Sequence, residues 1–140
     1  MSKRDENGFS LIELLLVVVV IGIIAAVAIP AFRKALTVAE NGNVYSTMRT
    51  IASLQVNYFS QNSRFGRLNE INNAQSGSLG TMSGTDLNRG KFVLSMVPAN
   101  PSPTELREGY TINAVRNLSG EDTIYHYSLT QTGEIVQVLP

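Results

Sequence analysis

Hydrophobic residues are concentrated in one uninterrupted stretch near the start of the chain. Residues 14–32 contain no charged side chain. Many of them are β-branched, which in water favours a strand, but a lone segment in lipid must be helical to satisfy its own backbone hydrogen bonds. A helix of that length measures about 28 Å, close to the ~30 Å hydrocarbon core of a bilayer. The stretch therefore predicts a membrane-spanning helix.

The pattern changes after Arg33 and Lys34, where apolar residues begin to recur with helical spacing. Residues 44–59 are expected to form an amphipathic helix, with residues 40–43 as a weak helical segment that bends or frays. The predicted apolar face consists of Val44, Tyr45, Met48, Ile51, Ala52, Val56, Tyr58 and Phe59. The predicted polar face consists of Ser46, Thr47, Arg49, Thr50, Ser53 and Asn57, while Leu54 falls off the apolar stripe.

The rest of the chain predicts a connecting loop followed by a sheet. Residues 60–90 are rich in Asn, Ser and Gly. The side chains expected to be packing anchors around the start of this segment are Tyr58, Phe59, Phe65, Leu68 and Ile71. Alternating apolar and polar residues predict four antiparallel strands at 92–97, 110–115, 123–130 and 134–139. The expected fold is α+β, with a long N-terminal helix whose hydrophobic half protrudes and whose amphipathic half covers the sheet. Its predicted segments are 1–8, 9–32, 33–62, 63–90 and 91–140.

Composition excludes several classes of function. The chain has 11 basic and 11 acidic residues, so no charge excess indicates nucleic acid binding. It has no cysteine, which rules out disulfides and thiolate sites, and its single histidine, His126, is expected on a sheet surface. No catalytic constellation, metal site or cofactor motif occurs, so we expect neither an enzyme nor a bound cofactor.

Three residues are unusual for a simple membrane anchor. Glu13 lies at the start of the apolar stretch. Placing a carboxylate so close to hydrocarbon costs free energy, so Glu13 is a candidate functional residue. Pro30 cannot donate a backbone hydrogen bond, and Gly22 is a second weak point of the helix. A secretory signal peptide is an alternative, because residues 26–28 match a small-residue cleavage pattern that would release a soluble binding domain after Ala28. An ordinary single-span anchor is another.

The residues Gly8-Phe9-Ser10-Leu11-Ile12-Glu13-Leu14, followed by the apolar stretch and Ala28-Ile29-Pro30, resemble the start of type IV prepilins and type II secretion pseudopilins. The resemblance is tight over about 25 residues. It implies the helix-on-sheet fold of that family. It also implies that a prepilin peptidase cleaves residues 1–8 from the chain between Gly8 and Phe9 and then N-methylates Phe9.

The resemblance further implies how the processed chain assembles. Glu13 would neutralise the new Phe9 amine of a neighbouring subunit and so guide subunit register, although Phe9 and Glu13 are also close enough for a pair within one chain. Gly22 and Pro30 would permit local unwinding of the helix in a filament. The implied partners are other copies of the chain, the prepilin peptidase, the membrane and the inner-membrane assembly machinery.

The function expected from this resemblance is that of a major pilin, the structural subunit of a type IV pilus. It would be stored in the inner membrane, with its C-terminal domain outside the cytoplasm, and then assembled at the cell surface. A pseudopilin or minor pilin of a type II secretion or DNA-uptake system is the near alternative. A type II pseudopilin is less favoured because the chain lacks the calcium-loop motif and the tryptophan expected in that branch.

Overall fold

A computed structural model describes residues 8–116 and 125–139 of the chain. The first element, α1, is a helix at Leu11–Asn62, and a short helix α2 follows at Leu68–Ala74. A third short helix, α3, lies at Glu105–Glu108. The strands are β1 Thr81–Ser83, β2 Asp86–Arg89, β3 Phe92–Met96, β4 Thr111–Arg116, β5 Tyr125–Thr130 and β6 Ile135–Leu139.

The strands form one antiparallel sheet in which each strand pairs with its neighbour in the chain. Side chains alternate between the two faces of this sheet, as the pattern predicts. Along β4, Ile112, Ala114 and Arg116 are buried, and along β5, Tyr127 and Leu129 are buried. The α+β class, with the long helix packed on an antiparallel sheet, is therefore confirmed.

The contacts divide the chain into two compact units, Met1–Ala39 and Glu40–Pro140. The second unit contains the hydrophobic core. There, the buried face of α1 (Val44, Met48, Ile51) meets apolar side chains of the sheet, α2 and α3. The fully buried residues that the sheet, α2 and α3 contribute to this core are Leu68, Ile71, Leu87, Phe92, Leu94, Leu106, Ile112 and Leu129.

The prediction of four strands is wrong, because the described sheet has six. Strands β1 and β2 and the helix α2 all lie in the segment predicted as a connecting loop. Each of these strands has four residues or fewer, too few for an alternating pattern to be recognised. Residues 123–124 of the predicted third strand lie outside the described residues.

The predicted apolar face of α1 is correct at its centre and wrong at its edges. Val56 is 65% exposed, whereas Thr47 and Gln55 are buried. With about 100° per residue, positions 44, 48, 51 and 55 lie in line, and position 56 lies about a third of a turn away. Thr47 can be buried because its hydroxyl donates to the Asn43 carbonyl at 2.9 Å. Helix α1 continues through residues 40–43, where a bend or fraying was expected.

The packing anchors predicted in the connecting segment are largely confirmed. Leu68 and Ile71 are buried, and Phe65 packs against the core. The rings of Phe59 and Phe65 lie 4.7 Å apart between centroids, and those of Phe65 and Tyr110 lie 4.9 Å apart. This chain of rings joins the end of α1 to the sheet.

Candidate assembly segment at the amino-terminal helix

The Glu13 side chain forms a hydrogen bond at the N-terminus of α1. The Leu14 amide donates to the Ser10 carbonyl at 3.2 Å, which makes Ser10 the residue that caps the helix. The Ser10 amide in turn donates to Glu13 Oε2 at 2.9 Å. A carboxylate in the first turn also interacts favourably with the positive end of the helix dipole. Glu13 therefore has a partner within its own chain in this structure.

The spacing of Ser10 and Glu13 is a signal that reasoning from the apolar stretch alone misses. A Ser followed three residues later by Glu is the sequence signature of a capping box, in which the Glu side chain reaches back to the capping residue's backbone. The structure shows this half of the box. The capping bond leaves the second carboxylate oxygen of Glu13 without a bond among the described residues.

The predicted cleavage position lies directly before this cap. Gly8 and Phe9 are outside the helix and exposed, and nothing lies within 4 Å of the position that a Cβ on Gly8 would occupy. Their peptide bond is therefore not shielded by a described part of the chain. Residues 1–7 of the predicted leader lie outside the described residues.

The apolar stretch that follows is almost entirely exposed. Apart from the half-buried Ala25, each residue of 11–32 is exposed, including Ile21, Ile24 and Phe32 at 59%, 62% and 66%. In the described part of the chain, α1 is long and apolar enough to cross a membrane, and none of its most apolar window is buried. Signal sequences near an N-terminus also have this length and composition. So large an apolar surface indicates a second environment, either lipid or other protein.

The helix is continuous at the two predicted weak points. Pro30 lies inside α1, and Gly22 has no neighbouring atom within 4 Å of a virtual Cβ. Unwinding between these residues in a filament stays a prediction. Of the predicted assembly residues, the structure brings Glu13 next to Ser10, whereas Gly22 and Pro30 lie successively further along the same helix.

The charged groups of the C-terminal unit form separate structural clusters. Arg64 pairs with Glu70 at 2.6 Å, and the Arg67 amide donates to the same carboxylate at 2.8 Å. The hydrogen bond from Arg64, reinforced by the Arg67 amide, lowers the pKa of Glu70 to about 2. Arg116 pairs with Glu40 at 2.8 Å. These contacts join segments of one fold.

His126 lies on β5 opposite Val115 and Leu139, with its side chain half-buried. Across residues 8–116 and 125–139, His, Cys, Asp and Glu side chains come together nowhere in a group of three or more that could hold a metal ion.

Comparison with known proteins identifies the amino-terminal segment. A family model described as "Prokaryotic N-terminal methylation motif" matches residues 3–29. The chain is 38% identical over 67 residues to a protein of Myxococcus xanthus (strain DK1622) named "Type IV major pilin protein PilA". That alignment covers 47% of this chain and 30% of the relative, so the chain matches less than a third of the relative's length. No solved structure matches.

The methylation motif lies on the exposed, capped start of α1, and α1 packs on an antiparallel sheet, as the resemblance implied. In its amino-terminal part, the chain is therefore similar to proteins that carry the prokaryotic N-terminal methylation motif and to a type IV major pilin.

Proposed function

We propose that the chain is the major structural subunit of a type IV pilus. A prepilin peptidase cleaves it between Gly8 and Phe9 and N-methylates Phe9. The processed subunit then polymerises through α1. The observation that carries this proposal is the exposed apolar surface of residues 11–32, which begins at a capped helix carrying the methylation motif. Lipid covers this surface before assembly, and the helices of neighbouring subunits cover it afterwards.

Glu13 guides subunit register in this proposal. Cleavage after Gly8 creates an amine on Phe9, and this amine needs a negative partner once the helices are packed away from water. The capping bond engages Glu13 Oε2, and the other carboxylate oxygen is available to the Phe9 amine of a neighbouring subunit. A pair within one chain is the alternative arrangement of the same groups.

The same apolar surface supports a membrane location before assembly. The subunit waits in the inner membrane, with its C-terminal unit outside the cytoplasm, until the inner-membrane assembly machinery extracts it. The role is structural rather than enzymatic, and the partners are other copies of the chain. A pseudopilin or minor pilin would use the same residues, so the amount of protein in long surface filaments separates these functions.

The variant Glu13→Gln tests the role of this residue. The substitution removes the charge but keeps an oxygen that can accept the Ser10 amide, so the cap and the cleavage of the leader are retained. We expect at least about tenfold less protein in sheared surface filaments, since 1.4 kcal/mol already corresponds to tenfold and an unpaired buried charge costs several kcal/mol.

The control variant is Glu108→Gln, which removes an exposed carboxylate from α3. It should form filaments in normal amounts. Normal filaments of Glu13→Gln, quantified by immunoblot of the sheared fraction, would exclude Glu13 from register control. They would leave the pilin assignment itself intact.

A further inference from the structure

The last residue of β4, Arg116, is almost completely buried although it carries a charge. Its side chain is 1% exposed, and its guanidinium carbon lies 5.9 Å from the Phe92 ring centroid and 5.8 Å from that of Tyr125. A buried guanidinium needs partners that compensate its lost hydration. Arg116 finds them on α1, where its Nη2 lies 2.8 Å from Glu40 Oε2 and its Nη1 donates to Asn41 Oδ1 at 3.5 Å.

A second cation from the sheet engages the same carboxylate. The Lys91 ammonium lies 3.4 Å from Glu40 Oε1. Both oxygens of Glu40 therefore contact cations of the sheet, one from β4 and one from the turn before β3. Lys91 is half-exposed, so its pair is weaker than that of the buried Arg116.

These contacts meet α1 at its weakest helical segment. Residues 40–43 read Glu-Asn-Gly-Asn, and both Asn and Gly are poor helix formers. Gly42 has no other atom within 4 Å of the position that an added Cβ would occupy, so its helical conformation is not fixed by a neighbouring side chain there. The boundary between the two compact units also falls here, between Ala39 and Glu40. The low helix propensity of residues 40–43 thus favours local loss of helix in the segment that Lys91 and Arg116 contact.

We propose that Glu40, Asn41, Lys91 and Arg116 form a latch that holds residues 40–43 in the helical conformation. The buried Arg116 is the fixed part of this latch, and Glu40 is the part that moves. With the latch closed, residues 40–43 are helical, as observed. With the latch open, these residues lose helical hydrogen bonds. This proposal does not depend on the chain being a filament subunit.

Hydrogen exchange of the full chain in detergent micelles, followed by mass spectrometry of peptides that cover residues 40–43, tests the latch. The variant Glu40→Gln removes the charge that both cations bind and leaves the core intact. We expect exchange at 40–43 to be about tenfold faster than in the unaltered protein, with β3 and β4 still protected. Arg116→Met should produce a larger effect at the same residues.

Two further variants make the test specific. Arg107→Met removes an exposed arginine from α3 and should leave exchange at 40–43 unchanged. Gly42→Ala, added to Glu40→Gln, should restore slow exchange, because Ala favours the helix and fits the open space. Unaltered exchange at 40–43 in Glu40→Gln would overturn the proposal. So would failure of Gly42→Ala to slow it, and both results stand even if Arg116→Met unfolds the sheet.

Discussion

Single side chains hold the segment after α1 onto the helix. The Gln55 amide donates to the Gly66 carbonyl at 2.7 Å and accepts from the Gly66 amide at 2.8 Å, with its side chain fully buried. A Cβ on Gly66 would lie 2.8 Å from Ile71 Cδ1, so a larger residue at this position would displace the end of the Ile71 side chain. A partly exposed ion pair between Arg64 and Glu70 also links the two ends of this segment.

The ion pair makes the C-terminal unit sensitive to acid. Because the pKa of Glu70 is lowered to about 2 from its unfolded value near 4.5, the pair contributes stability that is complete above about pH 5. This stability is lost as the pH falls from about 4.5 towards 2. We expect Glu70→Gln to lower the free energy of unfolding at pH 7 by about 1 kcal/mol, after allowance for screening of a partly exposed pair.

The measurement is urea unfolding of the full chain in micelles at pH 7 and at pH 3. The difference in the free energy of unfolding between Glu70→Gln and the unaltered protein should be smaller at pH 3. At that pH, part of the stabilisation from the Glu70 carboxylate has been lost in the unaltered protein. Glu134→Gln, which removes an exposed carboxylate, is the control. An equal difference at both pH values would mean that the pair does not stabilise the fold.

Some of these residues carry a sequence signal and others carry none. Ser10 and Glu13 have capping-box spacing and could be assigned from the sequence. Arg116 looks like the polar end of a strand, and only the pairing of β3, β4 and β5 places Phe92 and Tyr125 around it. Its ion pair with Glu40 joins residues far apart in the chain, and no local pattern predicts such a contact.

At the scale of elements, the buried face of α1 is defined by helical geometry rather than by hydrophobicity alone. Ile51 is fully buried, whereas Val56 is mostly exposed although it is just as apolar in character. Ile51→Ala should therefore lower the free energy of unfolding by about 2–5 kcal/mol through lost burial and a cavity. Val56→Ala, the matched control, should change it by no more than about 0.5 kcal/mol.

Urea unfolding of both variants, under the same conditions as for Glu70→Gln, distinguishes the observed face from the predicted one. Similar losses in the two variants would mean that Val56 is buried in solution and that the predicted stripe was right.

The elements that could be predicted are the long ones with a clear period. The helix over residues 44–59 and the strands β3 to β6 show such periods, and the structure has them at nearly the predicted positions. The β1–β2 hairpin was not predicted from the sequence because its Gly, Ser and Thr residues are typical of loops. Its place in the sheet depends on Leu87, whose contact with the core is not visible locally.

At the scale of the whole molecule, the two units differ in how far their apolar side chains are buried. Residues 40–140 include a closed hydrophobic core, whereas the apolar side chains of residues 11–32 are exposed. A chain of zero net charge with so much exposed apolar surface is not expected to remain dispersed in water. In the proposed function, lipid covers that surface before assembly and neighbouring subunits cover it afterwards.

The most direct test is the intact mass and N-terminal sequence of the protein in filaments sheared from native cells. We expect an abundant chain that begins at N-methylated Phe9. A chain that begins at Ile29 would contradict the proposed function and indicate a secreted soluble domain. Processed protein that occurs only in the membrane would contradict the major-pilin assignment and favour a pseudopilin or minor subunit.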